Sequence, residues 1–341
     1  MPPSSEAPIR WGVMGSGEIA EAFVGDMVHA AGSTVVAIGS RTQRRADEFG
    51  TAFDIPHRHG TYQALVDDPE VDAVYVCVPH PWHGDATMLA LGAGKAVLCE
   101  KPFMLNAREA RDAVGLARAQ GVFLMEAMWT RWLPHVRKVR ELIADGAIGA
   151  VTAVHADHSG VFPFDAANRM YDPGLGGGAL LDLGVYAVSF ASDLLGRPSR
   201  ISAVSTPTST DVDAETSMLF EHESGAHAVL TCSLRSEASN RAVVVGTLGR
   251  IEIAAAWYGP SAVTLIPAEG SPTTFGQDPV AGYGLQVEID EVERCLRAGS
   301  LESDVLPLDE SVAIMETLDE VRRQIGLRYP SEDDLDDAAS R

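Results

Sequence analysis

Lys101 is the residue whose setting most directly predicts chemistry. It stands in the tripeptide Glu100-Lys101-Pro102, directly after the apolar run Ala-Val-Leu-Cys at 96–99. Such a run is typical of a buried strand, and a lysine at its carboxyl end presents an amine at the edge of the sheet. In open α/β sheets that edge binds ligands. Taken alone, the pattern is explained equally well by a surface lysine that ends a strand. Other segments must distinguish this reading from a functional lysine.

A glycine turn upstream predicts a dinucleotide site. The segment Gly-Ser-Gly-Glu-Ile-Ala at 15–20 follows the first predicted strand and opens a helix. Gly15 allows the tight turn, Gly17 lets the backbone approach a pyrophosphate, and Ala20 permits close packing of helix and strand. The helix amino terminus favours the anionic diphosphate. We expect the cofactor to contact Gly15, Ser16, Gly17, Glu18 and Ile19.

The end of the second predicted strand indicates which dinucleotide binds. An NAD site carries an acidic residue about 20 residues after the glycine turn. This chain has Ser40 and Arg41 there, followed by Arg44 and Arg45. No carboxylate would repel a 2′-phosphate, and guanidinium groups bind phosphate well. We therefore expect NADP, held by Ser40, Arg41 and Arg45; the alternative is that the arginines only solvate the start of a helix.

A third cluster lies in the glycine-rich segment 176–186. Asp182 and Tyr186 are four residues apart, so they project from one face of the helix that follows the glycines. A carboxylate and a phenol on one face can bind and deprotonate a hydroxyl group. The alternative is structural, with Tyr186 in the core and Asp182 favoured by the helix dipole.

The elements that position these residues form two domains. Residues 1–128 alternate strands with helices, which predicts a doubly wound, mostly parallel α/β Rossmann sheet. Beyond residue 128, closely spaced strand-like runs predict an α+β domain over 129–330 with a large, mainly antiparallel open sheet. Residues 331–341 are predicted to be an acidic, disordered tail. The predicted strands of the first domain are 9–14, 34–40, 71–78, 96–100 and 122–128.

The composition excludes two classes of partner. The chain has 341 residues and a formal net charge of −22, whereas nucleic acids and anionic membranes need basic patches. The first eight residues lack the features of a signal peptide, and no apolar run is long enough for a membrane span. We expect a cytoplasmic protein whose four scattered cysteines are free and buried, namely Cys77, Cys99, Cys232 and Cys295.

The glycine turn and the Glu100-Lys101-Pro102 tripeptide are two of five motifs whose order is specific. The others are Val-Pro-His-Pro-Trp-His at 78–83, Glu-Ala-Met-Trp-Thr-Arg at 126–131, and the segment 176–186. Together they resemble the glucose–fructose oxidoreductase / inositol dehydrogenase (Gfo/Idh/MocA) family over nearly the whole chain. The resemblance is strongest to the branch with dimeric dihydrodiol dehydrogenases and NADP-dependent D-xylose dehydrogenases.

The resemblance implies roles for the residues of these motifs. Lys101 matches the catalytic lysine, Glu100 lines the nicotinamide site, and the Lys101–Pro102 bond is expected to be cis. Asp182 matches a substrate-contacting aspartate. Many members carry a histidine four residues later, whereas this chain has Tyr186, which makes the phenol the expected general acid/base.

Proton transfer by a phenol needs help from a neighbouring charge. An unperturbed phenol has a pKa of about 10, which is too high for an efficient base near neutrality. A nearby ammonium group stabilises a phenolate and lowers that pKa. We therefore expect Lys101 to polarise Tyr186 and the substrate hydroxyl while Asp182 orients a second hydroxyl.

Several further residues are candidates for binding. Pro79, His80 and His83 are expected at the ribose side of the cofactor, although the histidines could instead cap the next helix. Arg169 and Tyr283 are expected at the nicotinamide half. Trp129 and Arg131 are expected to line the substrate site, with a core tryptophan as the alternative. We expect no catalytic metal, since His155 and His158 point to opposite faces of a predicted strand.

These features favour an NADP-dependent dehydrogenase that acts on a carbohydrate or a cyclic trans-diol. The first choice is an aldose oxidised at its anomeric carbon to a lactone, and the second is a trans-dihydrodiol oxidised to a catechol. Alternatives are a cofactor-binding sensor without turnover and an enzyme that shuttles hydride between two sugars. We also expect a homodimer that covers the open face of the second sheet.

Overall fold

The computed structural model describes residues 7–276 and 280–332, and it divides the chain into two compact units. The first unit comprises residues 1–132 and 280–312, and the second comprises residues 133–279 and 313–341. Each unit is built on one large sheet, and each is described by itself.

The first unit contains a six-stranded parallel sheet with the order β3-β2-β1-β4-β5-β6. The strand order reverses between β1 and β4, and ligands bind at such a switch point, outside the carboxyl ends of the strands. The predicted doubly wound sheet is therefore confirmed. The strands are β1 (Ile9–Met14), β2 (Ser33–Gly39), β3 (His57–His59), β4 (Ala73–Val76), β5 (Ala96–Glu100) and β6 (Leu124–Ala127).

Helices connect these strands, and several of the helices begin at a residue whose side chain caps the first turn. Thr42, Thr61 and Asn106 each accept a hydrogen bond from the backbone N–H three residues onward, which satisfies one free donor of the first turn. The helices are α1 (Glu18–Asp26), α2 (Gln43–Ala52), α3 (Tyr62–Val66), α4 (His83–Gly92) and α5 (Ala107–Gln120).

An aromatic cluster packs α1 against the sheet. Phe23 of α1 stacks on Tyr75 of β4 with ring centroids 3.8 Å apart, and it contacts the edge of Trp11 at 5.5 Å. All three side chains are fully buried. The cluster fixes the helix whose amino terminus follows the glycine turn.

The second unit contains an eight-stranded sheet with the order β14-β13-β12-β11-β7-β10-β9-β8. Only the β7–β10 pair is parallel, so the prediction of a mainly antiparallel sheet is confirmed. The elements are α6 (Pro134–Ala144), β7 (Val151–Ser159), α7 (Val185–Leu195), β8 (Arg200–Pro207), β9 (Asp213–Glu221), β10 (His227–Ser233), β11 (Ala242–Gly246), β12 (Gly249–Ile253), β13 (Val263–Pro267) and β14 (Thr273–Phe275).

One face of this sheet is covered and the other is open. Along β10, Ala228, Leu230 and Cys232 are buried, whereas Val229 between them is exposed. The helical stretch Pro173–Leu195 is long and apolar enough to cross a membrane, but 78% of its apolar window is buried inside the protein. It is therefore a core helix of the second unit. The predicted buried, free thiols are confirmed at all four cysteines.

The unit boundaries differ from the sequence-based division into 1–128 and 129–330. The segment 280–312 lies in the first unit and carries helix α8 (Gln286–Ala298), which precedes α9 (Leu308–Ile325). The buried carboxylate of Asp26 anchors this segment. It accepts hydrogen bonds from the backbone N–H groups of Tyr283 at 2.9 Å, Gly284 at 2.8 Å and Leu285 at 2.8 Å.

The predicted acidic tail at 331–341 falls mostly outside the described residues, because nothing beyond residue 332 is described. The carboxylate of Glu332 is bound rather than freely solvated, since it pairs with Arg322 at 2.8 Å.

The hydrogen bonds of Asp26 are expected to contribute to the free energy of unfolding. We expect Asp26→Asn to lower the free energy of unfolding by about 3 kcal/mol, because the amide retains only one acceptor oxygen for three backbone donors, two of them buried. Urea unfolding followed by circular dichroism measures the change. Glu21→Gln, at an exposed position on the same helix, is the control and should stay within about 0.5 kcal/mol of wild type. Equal effects of the two substitutions would contradict the anchoring role.

Candidate active site

The glycine turn after β1 forms a cradle that only glycine fits. Gly15 has a φ of +126°, and a Cβ atom at this position would lie 2.7 Å from the carbonyl oxygen of Cys77. Gly17 is the N-cap residue of α1 and has no side chain that could bond the N–H groups of the first turn. Glu18 and Ile19 stand in that turn. This arrangement fits the diphosphate of a dinucleotide.

The end of β2 lies beside the glycine turn. The hydroxyl oxygens of Ser16 and Ser40 are 3.3 Å apart, so two of the predicted cofactor residues meet. Arg44 pairs with Glu48 at 2.6 Å. Arg41 and Arg45 are exposed, and neither makes an ion pair within 7–276 and 280–332. These two guanidinium groups are therefore available to a phosphate.

Glu100 and Lys101 end β5 at the same edge of the sheet. The hydroxyl of Tyr75 donates to Glu100 Oε1 at 2.5 Å, and the backbone N–H of Lys101 donates to Glu100 Oε2 at 3.1 Å. Burial raises the pKa of Tyr75 well above its ordinary value, which keeps its hydroxyl a donor. The Lys101–Pro102 bond is cis, as expected. The half-buried Lys101 is thus held through its backbone by a buried carboxylate.

His83 is held by two backbone carbonyl groups. It is buried at the start of α4, with Nδ1 2.9 Å from the carbonyl oxygen of Pro102 and Nε2 2.8 Å from that of Val78. Burial lowers its pKa below the ordinary value. His83 therefore joins two backbone segments. Its expected cofactor contact stays a prediction.

Pro79 and His80 precede His83 in the loop after β4. Pro79 caps the short 3₁₀ turn His80–Trp82. The ring of His80 is buried and lies 5.6 Å from that of His83, measured between centroids. The cofactor contacts expected of Pro79 and His80 stay predictions.

Arg131 forms an ion pair within the first unit. It is only 2% exposed, and its guanidinium pairs with Glu310 at 2.6 Å. The expected role of Arg131 at the substrate site stays a prediction. Trp129 is half-buried. Tyr283 exposes 65% of its surface, while its backbone binds Asp26 as described above.

Buried carboxyl groups behind Glu100 were missed by the sequence analysis. Glu288 of α8 is fully buried, and neither carboxyl oxygen has a hydrogen-bond partner in the described part of the chain. Burial, together with the charges of Glu100, Asp26 and Glu126, raises its pKa well above the usual value. Burial likewise raises the pKa of Glu126 to about 7. The sequence carries a signal for this burial, because Glu288 adjoins Ile289, which recurs with Val292 and Cys295 at helical spacing.

In the second unit, Asp182 is held by Arg169. The carboxylate is buried, and Arg169 donates to its two oxygens at 3.1 and 3.4 Å. The sequence placed Arg169 at the nicotinamide half and did not pair it with Asp182. The guanidinium is mostly exposed, so the pair presents its charged end at a surface of the second unit.

Tyr186 lies one turn beyond Asp182, as the spacing predicted. Asp182 stands in a short π-helical segment, Leu180–Gly184, which leads into α7; π-helical turns are frequent at functional sites. A Cβ atom on Gly184 would lie 2.9 Å from Cys232 Sγ. This glycine therefore allows the segment to approach β10 closely.

An aromatic group surrounds the buried ring of Tyr186. His158 of β7 meets it edge-on at 5.0 Å between centroids and stacks on Tyr258 at 3.6 Å. His158 is buried and His155 is exposed, which agrees with their expected opposite faces. Tyr258 was missed, because it lies outside any predicted strand or helix.

Comparisons with known proteins identify the family. A family model described as the oxidoreductase family, NAD-binding Rossmann fold, matches residues 9–128. A second, described as the GFO/IDH/MocA C-terminal domain, matches residues 136–252. The chain belongs to the Gfo/Idh/MocA oxidoreductase family, as its motifs predicted, and it is an NAD(P)-dependent oxidoreductase.

Individual relatives cover almost the whole chain. It is 40% identical over 337 residues to trans-1,2-dihydrobenzene-1,2-diol dehydrogenase of Mus musculus, covering 95% of this chain and 99% of the relative. The Homo sapiens protein of that name is 37% identical over 335 residues, with the same coverage.

Solved structures show the same architecture. Aldose–aldose oxidoreductase from Caulobacter crescentus, complexed with glycerol, is similar with a TM-score of 0.85 at 27% identity, over 93% of this chain and 97% of that one. KijD10, a 3-ketoreductase from Actinomadura kijaniata in complex with NADP and TDP-benzene, has a TM-score of 0.83 at 28% identity, over 93% and 98%.

The raised pKa of Glu288 predicts how the stability of the protein depends on pH. A carboxyl with a raised pKa contributes stability that is complete below the pKa of the unfolded chain and is lost as the pH rises through the folded pKa. We expect Glu288→Gln to unfold at nearly the wild-type urea concentration at about pH 5 and at a higher concentration at about pH 8. Asp290→Asn, at an exposed position on α8, is the control. The same pH dependence in Glu288→Gln and wild type would show that this carboxyl is ionised when folded.

Proposed function

We propose that this protein is an NADP-dependent dehydrogenase that oxidises a hydroxyl group of a carbohydrate or cyclic trans-diol. The observation that carries the proposal is that Lys101 and the Gly15 cradle stand at one edge of one parallel sheet. The backbone of Lys101 is fixed there by the buried Glu100 carboxylate. The amine of Lys101 therefore belongs to the edge of the sheet that fits a dinucleotide. An amine beside a nicotinamide can assist proton transfer.

The proposed chemistry assigns one task to each side chain. When bound, NADP supplies a nicotinamide that accepts the hydride of the oxidised carbon. Tyr186 takes the proton of the substrate hydroxyl as general base, and Lys101 provides the positive charge that favours the phenolate. Asp182, kept in place by Arg169, accepts a hydrogen bond from a second hydroxyl of the substrate. Trp129 lines the substrate site.

The aldose reaction is our first choice for the substrate. An aldose in its ring form offers a hydroxyl at the anomeric carbon, which loses hydride and proton to give a lactone, and neighbouring hydroxyls for Asp182. The structural similarity to an aldose–aldose oxidoreductase supports a sugar. The second candidate is a trans-dihydrodiol oxidised to a catechol, which the 40% identity to a dihydrobenzenediol dehydrogenase favours.

A substrate panel distinguishes these candidates. NAD and NADP are each combined with aldoses, inositols and trans-diols, and formation of the reduced nicotinamide is followed by its absorbance. We expect reduction of NADP with an aldose or a trans-diol. No reduction with any combination would favour a cofactor-binding sensor. Reduced cofactor that stays bound to the purified protein would favour hydride exchange between two sugars.

Tyr186→Phe tests the proposed base. Because general acid–base catalysis contributes about 10²–10⁴-fold to a rate, we expect kcat to fall by at least about a hundredfold, with NADP binding unchanged. Tyr258→Phe is the matched control, since its phenol lies in the same aromatic group, and it should keep most of the activity. Full turnover by Tyr186→Phe would remove the phenol from the mechanism.

The preference for NADP rests on Arg41 and Arg45. Replacing both by alanine is expected to raise the KM for NADP by at least about a hundredfold, since each lost charge-assisted hydrogen bond is worth about 1.5–3 kcal/mol. The KM for NAD should change little. Arg44→Ala is the control, because its guanidinium already pairs with Glu48. A parallel rise for both cofactors would argue against recognition of the 2′-phosphate.

We further propose a cytoplasmic homodimer. The open face of the second sheet exposes Val204, Leu219 and Val229, an apolar strip that a second copy of the chain would cover. Buried free thiols at all four cysteines agree with a reducing compartment. A monomer in sedimentation at micromolar concentration would contradict the dimer.

A further inference from the structure

Two imidazoles converge on one carboxylate at the outer edge of the first sheet. His57 and His59 are two residues apart on the edge strand β3, so their side chains lie on the same face. His57 Nδ1 is 2.6 Å and His59 Nε2 is 2.9 Å from Asp68 Oδ2. One donor atom from each of the three residues lies within 4.8 Å of the others.

The carboxylate of Asp68 is oriented by the backbone of its own loop. Its other oxygen, Oδ1, accepts the backbone N–H of Glu70 at 2.8 Å. Lys95 Nζ holds the loop by donating to the carbonyl oxygens of Asp68 at 2.8 Å and Val71 at 2.7 Å. The carboxylate is therefore positioned before any ligand arrives.

An outer carboxylate completes the arrangement. His57 Nε2 lies 3.9 Å from Glu70 Oε2. A metal-bound imidazole usually directs its second nitrogen at a carboxylate, which fixes the tautomer and increases the basicity of the ligand. If His57 binds a metal through Nδ1, its remaining N–H faces Glu70. The His57 and His59 side chains are 35% and 22% exposed, which leaves access for an ion and its water ligands.

We propose that His57, His59 and Asp68 form a binding site for one divalent transition-metal ion. Imidazole nitrogen with carboxylate oxygen suits Zn²⁺ and its neighbours, whereas Mg²⁺ prefers oxygen ligands alone. The ion replaces the two hydrogen bonds to Asp68 Oδ2, and water fills the remaining positions. It joins β3 to the loop that precedes β4. The site is separate from the proposed proton chemistry, and the sequence analysis singled out none of its ligands.

Zn²⁺ binding to the full chain tests the site. The protein is prepared without a histidine tag, treated with a chelator, and titrated with Zn²⁺ by calorimetry and by the temperature of unfolding. We expect one Zn²⁺ per chain and a higher unfolding temperature, with no response to Mg²⁺.

Substitutions locate the ion. His57→Gln and His59→Gln should each lower the Zn²⁺ affinity by about a hundredfold or more, and Glu70→Gln by about tenfold. His155→Gln, at an exposed histidine of β7, should leave binding unchanged. The histidine variants are used because Asp68 also shapes its loop, and circular dichroism in chelator checks that they are folded. Unsaturable binding, or Zn²⁺ affinity that the two histidine variants retain, would overturn the proposal.

Discussion

The hydrogen bond from the Tyr75 hydroxyl to the Glu100 carboxylate is the constraint on which the edge of the first sheet depends. A buried carboxylate is costly unless hydrogen bonds compensate the lost hydration. Here the compensation comes from Tyr75 and from the backbone N–H of Lys101, so satisfying the buried charge also fixes the backbone of the lysine. His83 strengthens the same turn through the carbonyl oxygen of Pro102.

In the second unit, the buried carboxyl group of Asp213 has a positioning role like that of Glu100. Asp213 accepts hydrogen bonds from the backbone N–H of Leu180 and the hydroxyl of Thr216, both at 2.8 Å. Burial raises the pKa of Asp213 to about 7. Leu180 begins the π-helical segment, so this contact sets where Asp182 and Tyr186 stand. In both units, residues of the proposed chemistry are positioned by buried carboxyl groups.

Local patterns in the sequence predicted many elements of the fold and part of the candidate site. The bounds of β1 and β5, the glycine turn and the spacing of Asp182 and Tyr186 follow from apolar runs, turn residues and helical periodicity, which act over a few residues. Long-range contacts carry no such signal. Asp26 binds backbone more than 250 residues away, which moves the segment 280–312 into the first unit. Residue type does not reveal the burial and the partners of His83 and Arg131, and the three-residue β3 is too short to show a period.

We propose that Lys101 supplies the charge that makes Tyr186 a base, and the pH dependence of kcat in wild type and Lys101→Met measures that effect. It is determined with whichever aldose or diol reduces NADP. We expect a lower kcat for Lys101→Met and a rise of kcat with pH that occurs at least about one pH unit higher than in wild type. An unchanged pH profile in Lys101→Met would contradict it.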